Sequence, residues 1–439
     1  MASTKPSYLI VGAGVFGVST AYHLLKKYPD ASVTMVDRDA FDADNRCAAS
    51  WDWNKVVRAD YDDFVYCKLA LEAQDIFETD PVWQPYFTKT GVYWMCRSDY
   101  AQDVIKNHQN LGRGDDISAV PVAEARKLYG GLFANADYSD VKEVLINKSS
   151  GWAAAGDALR AITREAIKLG LRYVTAEVET LQFDNAGACR GVKTKSGDVL
   201  TASHVILCTG AYTSRLLEYS AASSGLTGLR DEGRIVAGGI TTGMRKVEDP
   251  TEYAKFAAMP VGFQGYTAEV GGFIGSLPPT PDTHEMKWWG QTIFKNTKEV
   301  LPGRHISMPP SGQDYSQWNV SKALKQDIKH ASEVFYGKET DNWTFGKHRI
   351  CWDAFTSSGD FIISPHSAAK GLYLATCGSF HGYKFFPVLG KYILQMLEGE
   401  LSAELAQKWA WDRVRPDAAL NPEYPRAEMN DLLDTVARL

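Results

Sequence analysis

The chain has 439 residues, and at about 100–200 residues per domain this predicts two domains or three. Hydrophobic residues make up 45% and charged residues 23%, which is typical of globular proteins in water. The net charge of −6 argues against a nucleic-acid-binding protein, and no apolar stretch approaches the roughly 20 residues that a membrane span requires. The seven cysteines show neither CxxC nor Cys/His spacing, which argues against a metal site and favours reduced thiols inside a cell.

Residues 8–37 follow the order strand, glycine turn, helix, strand. The apolar run Tyr8–Val11 predicts a buried strand, and a helix then runs to about Lys27. The run Ser32–Val36 predicts a second strand, which ends at Asp37. This order is that of the first unit of a dinucleotide-binding fold.

The turn between the first strand and the helix reads Gly12-Ala-Gly14-Val-Phe-Gly17. In such a turn Gly12 makes the tight bend, Gly14 lets the backbone approach a pyrophosphate, and Gly17 lets helix and strand pack closely. Asp37 is placed to accept hydrogen bonds from ribose hydroxyls, and an acid there disfavours the 2′-phosphate of NADP. The motif predicts a dinucleotide site and leaves FAD and NAD open.

Two helices are predicted next, over residues 61–78 and 151–170, and Gly170 ends the second one. The candidate core positions of the first helix are Phe64, Leu69, Leu71 and Ile76.

A β-rich stretch follows, with strands predicted at Arg172–Val178, Leu181–Phe183 and Gly191–Lys195. The apolar strand His204–Cys208 then leads into Thr-Gly210-Ala211. A strand with this ending resembles the later FAD-contacting strand of glutathione-reductase-type flavoproteins. Together with the first turn, it shifts the interpretation from NAD to FAD.

Residues 220–345 are rich in Gly and Pro, with alternating segments at Gly272–Gly275 and Met286–Trp289, and a helix is predicted at 321–336. From residue 371 the order is again strand, glycine turn, helix. Because nucleotide-binding features occur at the start, middle and end, we expect two discontinuous domains. The predicted FAD-binding domain comprises residues 1–60, 150–220 and 345–439, and the predicted substrate domain comprises 61–149 and 221–344.

A third group of motifs lies near the C-terminus: Arg349-Ile-Cys351-Trp-Asp, Asp360-Phe-Ile-Ile-Ser-Pro-His366, and Gly378-Ser-Phe-His-Gly-Tyr-Lys-Phe-Phe-Pro387. With these motifs the chain resembles the fructosyl amino acid oxidases (amadoriases) and monomeric sarcosine oxidases, of the D-amino-acid-oxidase-like flavoproteins. The resemblance runs to about residue 400 and is strongest at 8–60, 151–160, 204–212 and 349–400. It implies an α/β FAD-binding domain of glutathione-reductase type and a mixed-sheet substrate domain, α+β overall.

The resemblance also implies residue roles. Cys351 stands where the family's cysteine bonds covalently to the flavin, and a thiolate is the competent nucleophile. Lys55 matches a lysine near the flavin in fructosyl amino acid oxidases. Arg58 matches the carboxylate-binding arginine of sarcosine oxidases, and Lys384 would add a second cation for the substrate carboxylate.

Further implied roles lie in the middle of the chain. Lys287 resembles the family's oxygen-activating lysine, whose positive charge stabilises superoxide as it forms. Gln291 stands where fructosyl amino acid oxidases have an acid and sarcosine oxidases a histidine, so this departure puts sugar recognition in doubt. With Lys287 and Lys55 it completes the set of candidate catalytic residues. Trp288 is a candidate substrate contact, and the other candidate pocket walls are Trp51, Trp53 and Trp289.

The complete cofactor-binding set that the resemblance implies is larger. It comprises Gly12, Gly14, Val15, Phe16, Gly17, Asp37, Arg38, Ser50, Lys55, Val178, Gly210, Ala211, Cys351, Phe380, Gly382, Tyr383 and Lys384.

The expected reaction is oxidation of a C–N bond in an amino acid bearing a secondary amine, with O₂ as acceptor, imine hydrolysis and H₂O₂ as a product. The alternatives are a dehydrogenase or biosynthetic amine oxidase that forms a cyclic imine, and an inactive flavin-binding protein. The resemblance implies a monomer. The ending Ala437-Arg438-Leu439 resembles a peroxisomal address, so we expect a peroxisomal protein, or otherwise a cytoplasmic one.

Overall fold

A computed structural model describes residues 6–44, 46–265, 273–311, 316–413 and 420–434. The helices are α1 Val15–Lys27, α2 Phe64–Thr79, α3 Tyr100–Asn110, α4 Val122–Ala125, α5 Ala155–Lys168, α6 Thr213–Ser224, α7 Pro250–Ala257, α8 Lys322–Tyr336, α9 Phe386–Glu398, α10 Ala403–Lys408 and α11 Met429–Leu432. The first twelve strands are β1 Ser7–Val11, β2 Ser32–Asp37, β3 Lys55–Val57, β4 Phe87–Thr88, β5 Val92–Cys96, β6 Ile117–Val120, β7 Glu143–Asn147, β8 Gly151–Ala153, β9 Arg172–Thr175, β10 Val178–Phe183, β11 Cys189–Thr194 and β12 Val199–Thr201. The others are β13 His204–Leu207, β14 Val236–Lys246, β15 Val261–Gln264, β16 Ile274–Leu277, β17 Glu285–Lys295, β18 Thr297–Leu301, β19 Arg304–Ser307, β20 Lys347–Phe355, β21 Ile362–Pro365, β22 Leu372–Thr376 and β23 Ala427–Glu428.

A six-stranded sheet in the order β21-β22-β13-β1-β2-β9 is parallel apart from its edge strand β21. Its apolar side chains alternate between two cores, as a sheet covered on both faces requires. Ile10 and Ile206 face the core beneath α1, α5 and α9, whereas Leu9 and Leu207 face the one beneath α6. The carboxyl ends of the central strands therefore share one edge, where ligands of such sheets bind.

A nine-stranded mixed sheet forms the second layer system, in the order β20-β14-β17-β16-β15-β5-β7-β6, with β23 beside β17. The long strand β14 pairs with both β17 and β20, opposing Met244 to Lys287 and Ile240 to Cys351. This pairing brings the middle and the C-terminal third of the chain side by side. Helix α8 covers the face of the sheet that carries Trp288.

The fold class and most of these elements were predicted from the sequence, and they are confirmed. Three details were wrong or lie outside the described residues. Residues Gly151–Ala153 form strand β8 rather than the start of a helix, because they pair with β3 and β4. Phe64 is 45% exposed since it is the first residue of α2, whereas Leu69 and Leu71 are buried as expected. Gly272 and Ala437-Arg438-Leu439 lie outside the described residues.

Strand β20 belongs to the nine-stranded sheet, although the predicted boundaries assign its residues to the FAD-binding domain. The domain boundaries themselves stay a prediction. All seven cysteines are free thiols, six of them buried, as the sequence analysis expected. Within the described part of the chain, no helix is long and apolar enough to cross a membrane.

Helices α1 and α9 approach each other closely at Ser19 and Gly390. The Ser19 hydroxyl donates to the Phe386 carbonyl at 2.7 Å and accepts from the Gly390 amide at 2.8 Å. A Cβ added at Gly390 would lie 2.1 Å from the Ser19 carbonyl oxygen. The glycine therefore sets the distance between the two helices.

We predict that Gly390→Ala lowers the thermal unfolding temperature by several degrees, since forcing a methyl group into a packed interface costs about 1–3 kcal/mol or more. Gly346→Ala is the control, because nothing lies within 4 Å of the added Cβ there. Differential scanning fluorimetry of both variants measures the effect. Equal unfolding temperatures for the two variants would contradict the assigned packing role.

Candidate active site

The glycine turn has the geometry that its sequence predicts. Gly12 adopts φ +103°, and a Cβ there would lie 2.4 Å from the Cys208 carbonyl oxygen, so strand β13 crosses directly behind the turn. A Cβ at Gly17 would lie 2.0 Å from the Gly12 carbonyl oxygen, which is the close packing of helix on strand expected there. Asp37 accepts the Ala13 amide at 2.7 Å, so the predicted ribose acid borders the same turn.

A cavity of about 390 Å³ begins at this turn and extends between the two large sheets. Every member of the implied cofactor-binding set lines it except Gly17 and Lys384. Gly17 packs inside the fold, as described above, and Lys384 is buried behind Tyr383. Five distant stretches of the chain therefore converge on one cavity, although their contacts with a ligand stay predictions.

The glycine turn predicted after β22 is present, and its backbone strain is what the sequence did not predict. Cys377, Gly378 and Phe380 line the cavity, and three non-glycine residues there have positive φ: Cys377 (66°), Ser379 (45°) and Phe380 (59°). Backbone strain of this kind concentrates at functional sites. Asp353 of β20 secures the turn by accepting the Phe380 amide at 2.9 Å. The "Cys-Gly-Ser-Phe" sequence gave no local signal of this strain.

A cluster of charges around Asp52 adjoins the cavity at two of its lining residues, Lys55 and Cys351. Asp52 was not among the residues predicted from the sequence. The Asp52 carboxylate, fully buried, lies 2.8 Å from Lys287 Nζ, 3.1 Å from Lys55 Nζ and 3.9 Å from Arg349 Nη1. Lys287 Nζ also donates to the Asn54 carbonyl at 2.6 Å, and Lys55 Nζ lies 3.7 Å from Cys351 Sγ. The structure thus brings together the three predicted residues Lys55, Lys287 and Cys351.

Burial and charge shift the pKa values of this cluster in different directions. Burial would raise the pKa of Asp52, but Lys287, Lys55 and Arg349 outweigh it and hold the pKa below its usual range. Burial lowers the pKa of Lys287 to about 8, with Asp52 opposing the shift and Lys55 adding to it. Lys287 therefore loses its charge close to physiological pH, whereas Asp52 stays ionised.

Arg58 and Lys384, the two predicted carboxylate ligands, also meet in the structure. The Arg58 guanidinium lies over the rings of Trp94 at 4.7 Å and Tyr61 at 4.8 Å. Lys384 Nζ donates to the Tyr61 hydroxyl at 3.1 Å and to the His381 carbonyl at 3.0 Å. Burial, and secondarily Arg58, lowers the pKa of Lys384 well below its ordinary value.

The structure corrects the prediction that Trp288 contacts the substrate. Side chains alternate along β17, so Lys287 and Trp289 share one face and Trp288 points to the other. Trp288 is fully buried against Tyr336, Trp343 and Phe345 beneath α8. Trp289 instead belongs to the hydrophobic cluster that contains Cys351 and Phe380.

The other predicted residues of this region have different surroundings. Trp51 and Trp53 pack with Trp318 in a separate surface group. Gln291 lies at an irregularity of β17, where its backbone amide donates to Asp327 at 3.3 Å. Its catalytic role stays a prediction.

The donor set of the cavity fits a flavin dinucleotide. Among the described residues, the hydroxyl of Tyr383, which lines the cavity, is buried and has no hydrogen-bond partner within the protein. The buried Nε and Nη1 of Arg46, whose Nη2 lies 3.4 Å from the lining residue Asp37, also have none. Buried polar groups without partners require a ligand or water. A nucleotide cradle at one end, and lysines with a cysteine at the other, define a dinucleotide-dependent oxidoreductase.

The chain belongs to the FAD-dependent oxidoreductase family, whose model matches residues 7–396. It is 25% identical to L-saccharopine oxidase of Schizosaccharomyces pombe, with 92% of each chain covered. It is 23% identical to monomeric sarcosine oxidase of a Bacillus species, with 90% of this chain and 92% of that one covered.

Solved structures resemble the whole chain. A fructosyl peptide oxidase from E. terrenum superposes with a TM-score of 0.82 at 22% identity, covering 100% of this chain and 99% of that one. Amadoriase II, a fructosamine oxidase of Aspergillus fumigatus, superposes with a TM-score of 0.80 at 23% identity, covering 98% and 97%. At these identities the structural likeness shows the fold alone. The expected flavoprotein fold and family are confirmed.

We predict that Asp52→Asn lowers the thermal unfolding temperature of the FAD-loaded protein, because removing one partner of a buried ion pair costs about 3–5 kcal/mol. Burial raises the pKa of Asp52 but the cations overcome this, so its folded pKa lies below the unfolded value. The stabilisation is therefore present above about pH 4 and fades as the pH falls further.

Unfolding temperatures measured between about pH 3 and pH 8 test this, with the exposed Asp103→Asn as the control. A difference between wild type and Asp52→Asn that persists undiminished in acid would contradict the assignment.

Proposed function

We propose that the chain is an FAD-dependent oxidase of amino acids with a secondary amine, which uses O₂ and releases H₂O₂. The observation that carries this proposal is that Lys287 and Lys55 share the Asp52 carboxylate, and that Lys55 and its neighbour Cys351 line the nucleotide cavity. The names of relatives that match nine-tenths of the chain, oxidases of saccharopine and sarcosine, support it. Bound FAD supplies the two-electron oxidation of the C–N bond.

The residues Arg58 and Lys384 provide the substrate anchor in this proposal. Arg58 can hold a carboxylate with two parallel hydrogen bonds, and Lys384 adds a point charge from the adjacent turn. The rings of Tyr61 and Trp94 limit the positions of the guanidinium. Anchored in this way, an amino acid has its amine placed toward the cavity, and the resulting imine hydrolyses in water.

Lys287 provides positive charge for the oxygen reaction. Its amine is fixed by Asp52 and the Asn54 carbonyl, so it needs no rearrangement when negative charge develops on oxygen. Cys351 provides the thiol for covalent attachment of the flavin, and Lys55 Nζ lies 3.7 Å from its sulfur. Covalent attachment, the role of O₂, the monomeric state and the peroxisomal location stay predictions.

We predict that the purified protein is yellow and retains its flavin after acid precipitation, and that Cys351→Ser releases the flavin. Cys208→Ser is the matched control, because Cys208 also lines the cavity. Absorbance of the supernatant at flavin wavelengths measures the release. Flavin lost from the wild type would refute covalent attachment and leave FAD binding intact.

The activity is tested with a peroxide-coupled panel of fructosyl-valine, fructosyl-lysine, saccharopine, pipecolate, sarcosine and other N-methyl amino acids. We expect H₂O₂ with at least one member. A flavin-loaded protein that is reduced by none of these amines would overturn the proposed function. Reduction without reoxidation by O₂ would instead support a dehydrogenase.

We predict that Lys287→Met slows O₂ consumption by about 10²–10³-fold, the usual cost of removing one preorganised charge-stabilising group. Burial lowers the pKa of Lys287 to about 8, so its charge is present below that pH and lost above it. The wild-type oxygen rate therefore falls as the pH rises through about 8. Stopped-flow reoxidation of the reduced enzyme measures both effects, with exposed Lys298→Met as the control. An unchanged rate in Lys287→Met would refute the assignment.

A further inference from the structure

The hydrogen bonds that lead to Lys384 run in one direction. The His381 Nε2 atom lies 2.9 Å from the Gly359 carbonyl oxygen, which can only accept, so Nε2 carries the ring proton. Burial lowers the pKa of His381 to about 3, so the ring is neutral and its other nitrogen, Nδ1, is an acceptor. The Tyr61 hydroxyl, 3.0 Å away, therefore donates to Nδ1.

The Tyr61 oxygen then serves as an acceptor for Lys384. The buried Lys384 Nζ donates to it at 3.1 Å and to the His381 carbonyl at 3.0 Å. Both acceptors are uncharged, and the described residues offer Nζ no others. A neutral amine has two N–H groups and one lone pair, whereas an ammonium has three N–H groups. The two acceptors therefore satisfy the neutral amine, and they would leave one donor of a buried ammonium without a partner.

The charged groups around Lys384 favour the same state. Burial lowers the pKa of Lys384 well below its ordinary value, and Arg58 and Lys55 add to this shift. The acids Glu423 and Asp60 oppose it, each with a smaller effect than burial. The geometry and the surrounding charges thus agree that the amine of Lys384 is uncharged before a substrate binds.

The proposed reaction requires a proton acceptor that the residues described so far do not supply. A secondary amine arrives from water as an ammonium, which has no lone pair, and loss of hydride from the adjacent carbon would create a second positive charge beside the first. The substrate must therefore give its proton to a base within hydrogen-bond reach before it is oxidised. Because the amine and carboxyl groups of an amino acid share one carbon, a group that contacts the carboxylate is close to the ammonium.

We propose that Lys384 is the base that accepts the proton of the substrate ammonium. The N–H bond of the ammonium breaks, its electron pair stays on the substrate nitrogen, and the lone pair of Lys384 Nζ forms the new N–H bond. The substrate becomes a neutral amine that can be oxidised, and Lys384 becomes the cation that pairs with the substrate carboxylate. The proposal rests on the proposed function, in which Arg58 and Lys384 hold that carboxylate.

The first test counts protons when a carboxylate without an amine binds. The probe is 2-furoate, which brings no proton of its own. Its binding to the flavin-loaded enzyme is followed by the flavin absorbance at about pH 9, where an ordinary lysine with a pKa of about 10.4 is charged. Calorimetry at the same pH, in two buffers of different ionisation enthalpy, gives the number of protons taken up from water.

For the wild type we expect uptake of about one proton per furoate bound, because Lys384 acquires its charge only when the anion arrives. Lys384→Met should take up none. Burial raises the pKa of Glu423 to about 7 and lowers that of Lys287 to about 8, so both groups are deprotonated at pH 9 and are the other candidate acceptors. Glu423→Gln and Lys287→Met should therefore keep the uptake.

Furoate that binds without proton uptake would overturn the inference, as would uptake that persists in Lys384→Met. Furoate that fails to bind would overturn it together with the carboxylate anchor. The wild-type count needs no variant, so it decides the question even where a variant fails to fold. An enzyme that oxidises no amine yet takes up this proton would refute the proposed function and retain the basicity of Lys384.

The second test separates a base from a simple cation. Lys384→Arg keeps a positive charge but cannot accept a proton. Anaerobic stopped-flow reduction of the flavin, with an amine that the peroxide panel identifies, measures the amine oxidation without the oxygen step. We expect the second-order rate of Lys384→Arg to be about 10²–10⁴-fold below that of the wild type at neutral pH, the usual contribution of a general base.

The pH profiles should differ as well. In Lys384→Arg only the neutral fraction of the free amine reacts, so its rate should rise about tenfold per pH unit up to the pKa of the substrate. The wild-type rate should change little between about pH 8 and pH 9, because the proton moves within the complex. An arginine variant with the rate and profile of the wild type would show that Lys384 acts only as a cation, and it would overturn the inference.

Discussion

The buried carboxylate of Asp52 is the constraint around which the candidate active site is organised. Three cations from three parts of the chain, Lys55, Lys287 and Arg349, approach one acid that has no access to water. None of them is stable in this interior by itself, because burying an isolated charge costs several kcal/mol or more. The Asp52 carboxylate therefore stabilises the charged form of the lysines. It also holds the segment of residues 51–58 against strands β17 and β20.

The strand register determines where the lysine and the reactive cysteine lie. Strand β14 lies between β17 and β20. Its residue Met244 pairs with Lys287 of β17, and its residue Ile240 pairs with Cys351 of β20, so one strand separates the lysine from the cysteine. Trp289 and Ile240 pack with Cys351 in one hydrophobic cluster. The parallel sheet supplies the other end, since the carboxyl ends of β1 and β2 carry the glycine turn and Asp37. The reactive groups and the nucleotide cradle thus belong to different sheets, and the cavity lies between them.

Local sequence explains why some of this could be predicted and some could not. The glycine turn and Asp37 are encoded within thirty residues, and Gly12 and Gly17 are required by contacts with the chain beside the turn and with the turn itself. Trp288 was predicted to contact the substrate, as its neighbour Lys287 was predicted to lie at the flavin. Side chains alternate along a strand, so adjacent residues cannot both face the same site, and this rule could have excluded Trp288. Asp52 could not be predicted. Its role arises from Lys287 and Arg349, which are hundreds of positions away, and the sequence carries no pattern for such a meeting.

Backbone strain and buried donors without partners both occur at the nucleotide cavity. The turn of Cys377, Ser379 and Phe380 stores unfavourable backbone conformations beside the cavity, and Asp353 holds it in place. Arg46 and Tyr383 keep buried donors unsatisfied in the same region. The unsatisfied donors cost stability in the protein alone, and polar groups of a bound molecule or water would offset that cost. The anchor of Arg58 and Lys384 differs, because its groups already have partners in the chain: Arg58 lies over the rings of Trp94 and Tyr61, and Lys384 donates to the Tyr61 hydroxyl and the His381 carbonyl. The nucleotide half therefore depends on a bound cofactor for its buried donors, whereas the side chains of the substrate half are held in place before a substrate binds.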